Sequence, residues 1–155
     1  MTPDELHNSA YQSIIPWLGK TMKHIDIMMK GILQESDLDL TKNQILVMRF
    51  IDRGITSQSD LSVITERDKS SLTRLIQSLE KKRFVTRQHH AHDKRQHLIT
   101  LTDSGHEMLR RAMPVLESSF EKLETGIDKK QLAIARDVRI KILAYVETEL
   151  EELNK

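Results

Sequence analysis

At 155 residues, with 38% hydrophobic, 30% charged and only 4% aromatic residues, the chain is sized for one globular module packed by Leu, Ile and Met. The absence of cysteine excludes disulfides, thiolate metal sites and cysteine nucleophiles, and no stretch approaches the roughly 20 apolar residues of a membrane span. The net charge of +1 conceals an asymmetry: between Arg67 and His97 nine Lys or Arg stand against three acids, a local +6 that implies −5 elsewhere and points to a polyanionic partner.

Five Gly and three Pro, with long runs free of both, predict a mostly α fold. The start, Met1-Thr2-Pro3-Asp4-Glu5, lacks the basic and apolar run of a targeting signal, so a cytoplasmic, unprocessed protein is expected. From about Ser13 to Gln34, Ile14, Leu18, Ile25, Met28, Met29, Ile32 and Leu33 recur mostly at three- and four-residue intervals, as an amphipathic helix requires, with Pro16 tolerable in its first turn. Thr41-Lys42-Asn43-Gln44 has capping-box spacing and opens a second helix that buries Ile45 and Met48, with Phe50 and Ile51 as further candidates, and stops at Gly54. Ser57 and Ser59 precede a short helix to about Ile64, with Leu61 and Ile64 expected in the core. After a turn at 65–67, Asp68 or Lys69-Ser70 opens a longer helix in which Leu72, Leu75, Ile76 and Leu79 fall at i, i+3, i+4 and i+7.

From Phe84 the period shortens to about two. Val85-Thr86-Arg87 and His97-Leu98-Ile99-Thr100-Leu101 alternate as two short strands, with the polar, basic stretch Gln88 to Gln96 as the tip of a hairpin. Thr102-Asp103 caps a third long helix running towards Leu123, with Met108, Leu109, Ala112, Val115, Leu116 and Phe120 on its apolar side and a bend expected at Pro114. Gly126 stops it, and Asp128 begins a last helix through Leu153.

A short helix, a tight turn, a helix with a polar outer face (Ser70, Thr73, Arg74, Gln77, Lys81) and a basic hairpin make a winged helix-turn-helix. In such a unit the second helix can present its N-terminal side chains to base edges in the major groove while the hairpin reaches phosphates or the minor groove. No Gly-rich phosphate loop, no nucleophile with a base at motif spacing and no paired carboxylates in an apolar setting appear, so no enzyme and no cofactor are expected.

These residues resemble the MarR-type (multiple antibiotic resistance regulator) transcription factors. Leu40-Thr41-Lys42-Asn43-Gln44 is similar to the family's helix opening, and Ser57-Gln58-Ser59-Asp60-Leu61 to the start of its first helix-turn-helix helix. Ser70 to Ile76 followed by Leu79-Glu80-Lys81-Lys82 resembles the recognition helix. Asp93-Lys94-Arg95 with Leu101-Thr102-Asp103-Ser104-Gly105 resembles the wing signature Asp-Arg-Arg then Leu-Thr-x-x-Gly. Four positions depart from the pattern. Gly is usual where Arg83 stands, and a left-handed backbone there would cost a non-Gly residue roughly 1 kcal/mol. Glu66-Arg67 replaces a Gly and an apolar residue, and Lys94 keeps the charge of the first wing Arg without its bidentate fork.

The resemblance implies a homodimeric regulator, usually a repressor, that reads palindromic double-stranded DNA and is often released by a small phenolic or lipophilic effector. Residues 35–102 would be the winged helix-turn-helix DNA-binding domain, and 1–34 with 103–155 the helical dimerisation region. The sequence independently supplies an apolar ridge for that purpose in Val138, Ile142, Val146 and Leu150. DNA contacts are assigned to Lys69, Ser70, Ser71, Thr73, Arg74, Gln77, Lys81, Arg87, Lys94 and Arg95, with Asp93 orienting Arg95 and with Lys81, Lys82 and Lys94 on phosphates.

Trp17, His24 and Met28 could line an effector pocket, against a favoured reading as dimer core. His89, His90, His92 and His97 form a polar tip whose protonation would strengthen DNA binding at lower pH. A metal-responsive regulator using these histidines is the rival reading, and a winged protein-interaction module another; their spacing matches no recognised structural metal site.

Overall fold

The computed structural model describes residues 13–89 and 97–153, apart from the side chains of His89 and His97. Among the described residues six helices and one hairpin follow in the order α1 (Ile15–Glu35), α2 (Lys42–Asp52), α3 (Gln58–Ile64), α4 (Lys69–Lys81), β1 (Val85–His89), β2 (His97–Leu101), α5 (Asp103–Leu123) and α6 (Lys129–Leu153). The chain divides into two compact units, Met1–Ser119 and Phe120–Lys155.

Local chemistry sets the helix starts. Pro16 lies in the first turn of α1, where its missing N–H costs nothing. Thr41 and Gln44 close the capping box in both directions, with Thr41 Oγ1 accepting from the Gln44 amide at 3.2 Å and Gln44 Oε1 accepting from the Thr41 amide at 2.9 Å. Ser57 caps α3 through the Asp60 amide and Asp68 caps α4 through the Ser71 amide. Asp128 accepts from the amides of Lys130 and Gln131 at the head of α6.

Four helix ends share one device. After α1, α2, α3 and α4 the chain turns through a left-handed residue, Asp37 (φ 52), Gly54 (φ 92), Glu66 (φ 51) and Arg83 (φ 61). In each case that residue and the next donate amides back into the last turn; for α4, Arg83 donates to Glu80 at 2.8 Å and Phe84 to Leu79 at 3.0 Å. This is the Schellman arrangement, which satisfies carbonyls that the helix leaves unpaired. Of the four, α2 alone uses glycine for it.

The core of the first unit joins Met29 and Leu33 of α1, Ile45, Val47, Met48 and Ile51 of α2, and Leu61 of α3 to Leu72, Ile76 and Leu79 of α4. Val85 and Ile99 of the hairpin and Leu109, Ala112 and Leu116 of α5 complete it. Several expectations need correction. Ile64 is 44% exposed, because α3 ends there and the chain turns away while Thr65 Oγ1 donates to Leu61 O. Ile14 and Leu18 leave the stripe of α1, which is buried only in its C-terminal half, and Phe120 is exposed at the start of the second unit. β1 runs two residues beyond Arg87, to His89. Pro114 lies inside α5, as the sequence placed it.

In the second unit α6 buries no residue, and Ile134, Val138, Ile140, Tyr145, Val146 and Leu150 are exposed. Among the described residues no helix is long and apolar enough to cross a membrane.

Candidate nucleic-acid interface

The apolar stripe of α4 fixes which side chains it can offer. Leu72, Ile76 and Leu79 are fully buried, so the helix is pinned on one side. At 100° per residue the opposite side then carries Ser70, Arg74, Gln77 and Lys81, all exposed, with exposed Lys69 at the N-terminal margin. The N-terminal turn adds the positive end of the helix dipole. Three cations, a hydroxyl and an amide on one projecting surface can bond phosphates and base edges together.

Three of the expected contacts, Thr73, Arg87 and Lys82, are engaged within the protein. The Thr73 hydroxyl donates to Lys69 O at 2.7 Å and accepts from Gln58 Nε2 at 2.7 Å, so it braces α3 against α4. Arg87 lies back from β1 against α4, with Nε 3.2 Å from Glu80 Oε1. The geometry there is an ion pair without a hydrogen bond, and Nε and Nη2 are both shielded from solvent without an acceptor among the described residues. Ser71 is half-buried, with Arg67 Nη1 3.4 Å from its hydroxyl. Lys82 donates to both Asp39 O (2.6 Å) and Asp39 Oδ1 (2.8 Å), which ties the end of α4 to the connection before α2. Lys94, Arg95, Asp93, His90 and His92 lie outside the described residues, as do the side chains of His89 and His97. Among the described residues no group of three or more His, Asp or Glu is arranged to hold a metal.

The hairpin is fastened at its base from two directions. β1 and β2 pair antiparallel from Val85↔Leu101 to His89↔His97, and β2 also bridges back to the entry of α3, with Ile99 donating to Thr56 O at 2.8 Å and Ser57 paired with Leu98. At the exit, Thr102 Oγ1 accepts from the Gly105 amide at 3.0 Å as a helix cap, and the Thr102 and Ser104 hydroxyls both donate to Arg83 O. The Leu-Thr-x-x-Gly pattern therefore has a structural cause, since it locks the end of α4, the hairpin and α5 at one point. Sequence reasoning missed Gln58, Glu80 and Asp39 as partners. Each pairs across a sequence gap of 7 to 43 residues, which periodicity does not register.

On α1, Trp17, His24 and Met28 fall on one face by spacing. Met28 packs on the core, Trp17 is half-buried with Lys20 Nζ 5.3 Å from its ring centroid, and His24 is exposed with Nδ1 2.8 Å from Lys20 O.

Comparison with known proteins agrees with this geometry. Residues 38–96 match the model of the MarR family. The transcriptional regulator HosA of Escherichia coli O127:H6 (strain E2348/69 / EPEC) is 35% identical over 85 residues, which is 54% of this chain and 63% of HosA, so the match spans less than two thirds of that relative. Among solved structures, the transcriptional regulator SlyA superposes with a TM-score of 0.78 at 20% identity, over 92% of this chain and 99% of that one. A mutant of MarR from E. coli complexed with operator DNA superposes with a TM-score of 0.70 at 25% identity, over 84% of this chain and 95% of that one. A helix-turn-helix with the hairpin locked to it at Thr102 and Gly105, together with the match of residues 38–96 to the MarR family model, makes this chain similar to the regulators of that family.

Proposed function

We propose that the chain is a sequence-specific double-stranded DNA-binding transcriptional regulator without catalytic activity. The observation that carries this reading is the projecting surface of Lys69, Ser70, Arg74, Gln77 and Lys81 on a helix whose other side is fully buried. The +6 block from Arg67 to His97 gives that surface its electrostatic reach. HosA is a transcriptional regulator by name, and the E. coli MarR mutant was solved on operator DNA. Arg74 and Gln77 read base edges, Lys69, Lys81 and Lys94 hold phosphates, and Arg95, oriented by Asp93, extends the grip along the wing.

The protein works in the cytoplasm as a homodimer on a palindrome, with two recognition helices entering successive major grooves about 34–36 Å apart. Residues 1–34 and 103–155 form the dimerisation region. The support is the largely uncovered apolar ridge of Val138, Ile142, Val146 and Leu150 on α6, together with Ile14, Ile15, Leu18 and Met22 at the start of the chain. Trp17, His24 and Met28 belong to that region, where a lipophilic or aromatic effector would act to release a repressor from its operator.

Titration with salt tests the reading. On an operator selected from random duplexes, affinity should fall steeply and log-linearly as salt rises. Arg74→Ala should weaken binding by about tenfold or more while leaving the melting temperature unchanged. Binding that stays flat with salt, or a protein that sediments as a monomer, overturns it.

A further inference from the structure

The end of α3 differs from the other three Schellman ends in a way that bears on the recognition helix. The residue after the left-handed turn is Leu38 for α1, Ile55 for α2 and Phe84 for α4, each apolar and packed in or against the core. That apolar contact normally accompanies the motif. After α3 the position holds Arg67. Ser62 replaces the missing contact, with the Arg67 amide donating to Ser62 O at 3.1 Å and the Ser62 hydroxyl donating to Arg67 O at 2.5 Å. The backbone of Arg67 is thus held at both polar groups, and its side chain is released from the task that Leu38, Ile55 and Phe84 perform.

The released side chain lies beside the first turn of α4. Its Nη1 is 3.4 Å from Ser71 Oγ, at the long limit of a hydrogen bond, and among the described residues no carboxylate pairs with it. Ser71 is adjacent to exposed Ser70 and one helical step from exposed Arg74, on the N-terminal half that carries the positive end of the helix dipole. A guanidinium on a fixed backbone, without an acid partner and next to a cationic surface, is pre-organised for a paired acceptor on an anionic ligand.

We propose that Arg67 is a further DNA-contacting residue. Its fork takes a pair of acceptors on the duplex, either two phosphate oxygens or O6 and N7 of one guanine, beside the N-terminal turn of α4. This rests on the DNA-binding reading above and adds a contact outside the recognition helix itself.

The test compares the wild-type chain with Arg67→Ala, Arg67→Lys and Arg67→Leu on the selected operator across a salt series. Arg67→Ala should weaken binding about tenfold near 0.1 M salt. If the acceptors are phosphate oxygens, the slope of log affinity against log salt falls by about one and Arg67→Lys recovers most of the loss. If they belong to guanine, the slope holds, one operator position accepts other bases, and Arg67→Lys does not recover the loss. Arg67→Leu restores an apolar residue to the turn, so it should keep or raise the melting temperature while still losing affinity. Variants that match wild type in affinity and selected sequence, or an Arg67→Leu that loses folding and binding together, overturn the proposal. A wild type with no salt-dependent duplex binding removes the DNA reading as well, which is distinguishable because the wild type then fails before any variant is compared.

Discussion

The carbonyl oxygen of Phe84 occupies the space where a side chain of Gly105 would begin, since a Cβ built there stands 2.0 Å from it. The same carbonyl accepts the Thr102 amide at 3.1 Å, so it cannot retreat without undoing the start of α5. Gly105→Ala should therefore destabilise the protein by about 3 kcal/mol, read as a lowered midpoint in urea. A midpoint equal to wild type would mean that the junction yields more easily than its bonds indicate.

The left-handed ends of α3 and α4 carry side chains where glycine would be relaxed. Arg83→Gly and Glu66→Gly should each raise stability by roughly 1 kcal/mol, because the left-handed region costs an L-residue about that much. Gly54→Ala, at φ 92, should move stability in the opposite direction. Thermal melts of the three variants check the signs together.

Gln44 is buried and serves two helices at once. Its Oε1 completes the cap of α2, and its Nε2 donates to Ser78 Oγ of α4 at 3.0 Å. Gln44→Ala removes both bonds and leaves their partners short of one each, which should cost about 2 kcal/mol. Gln44→Glu keeps the cap acceptor but loses the donor to Ser78, so chemical denaturation of the two variants separates the two contributions.

Arg87 and Glu80 connect the wing to the recognition helix, with side chains 28% and 30% exposed. A double-mutant cycle with Arg87→Met and Glu80→Gln should show a coupling of about 1 kcal/mol in stability. Additive single effects would mean that the pair is a proximity without consequence. Because Arg87 is turned inward, Arg87→Met should reduce DNA affinity less than Arg74→Ala, which a direct binding comparison reads.

Local signals in the sequence carried the fold a long way. The capping box at Thr41 and Gln44, the stop at Gly54, the cap at Asp68 and the stripe of Leu72, Ile76 and Leu79 each depend on residues within one or two turns of one another. The outer face of α4 was legible for the same reason, since a helix with one side assigned to the core has its other side assigned too. What escaped was decided across the fold. Ile64 continued the apolar spacing, but it is the last residue of α3, where the chain turns away and leaves it exposed. Thr73 and Arg87 had the right chemistry for DNA and are held by Gln58 and Glu80, partners that only the packed structure supplies. The resemblance flagged Glu66 and Arg83 as departures from glycine, and both keep the left-handed backbone that the glycine would have had.

The bridge from β2 to Thr56 and Ser57 gives the hairpin a hinge that is clamped shut. Its direction is inherited from the entrance of the helix-turn-helix rather than chosen by the residues at its far end. The residues that start α3 thus also set the course on which the two strands leave the body of the unit, so the entry of the helix-turn-helix and the base of the hairpin keep one shared orientation.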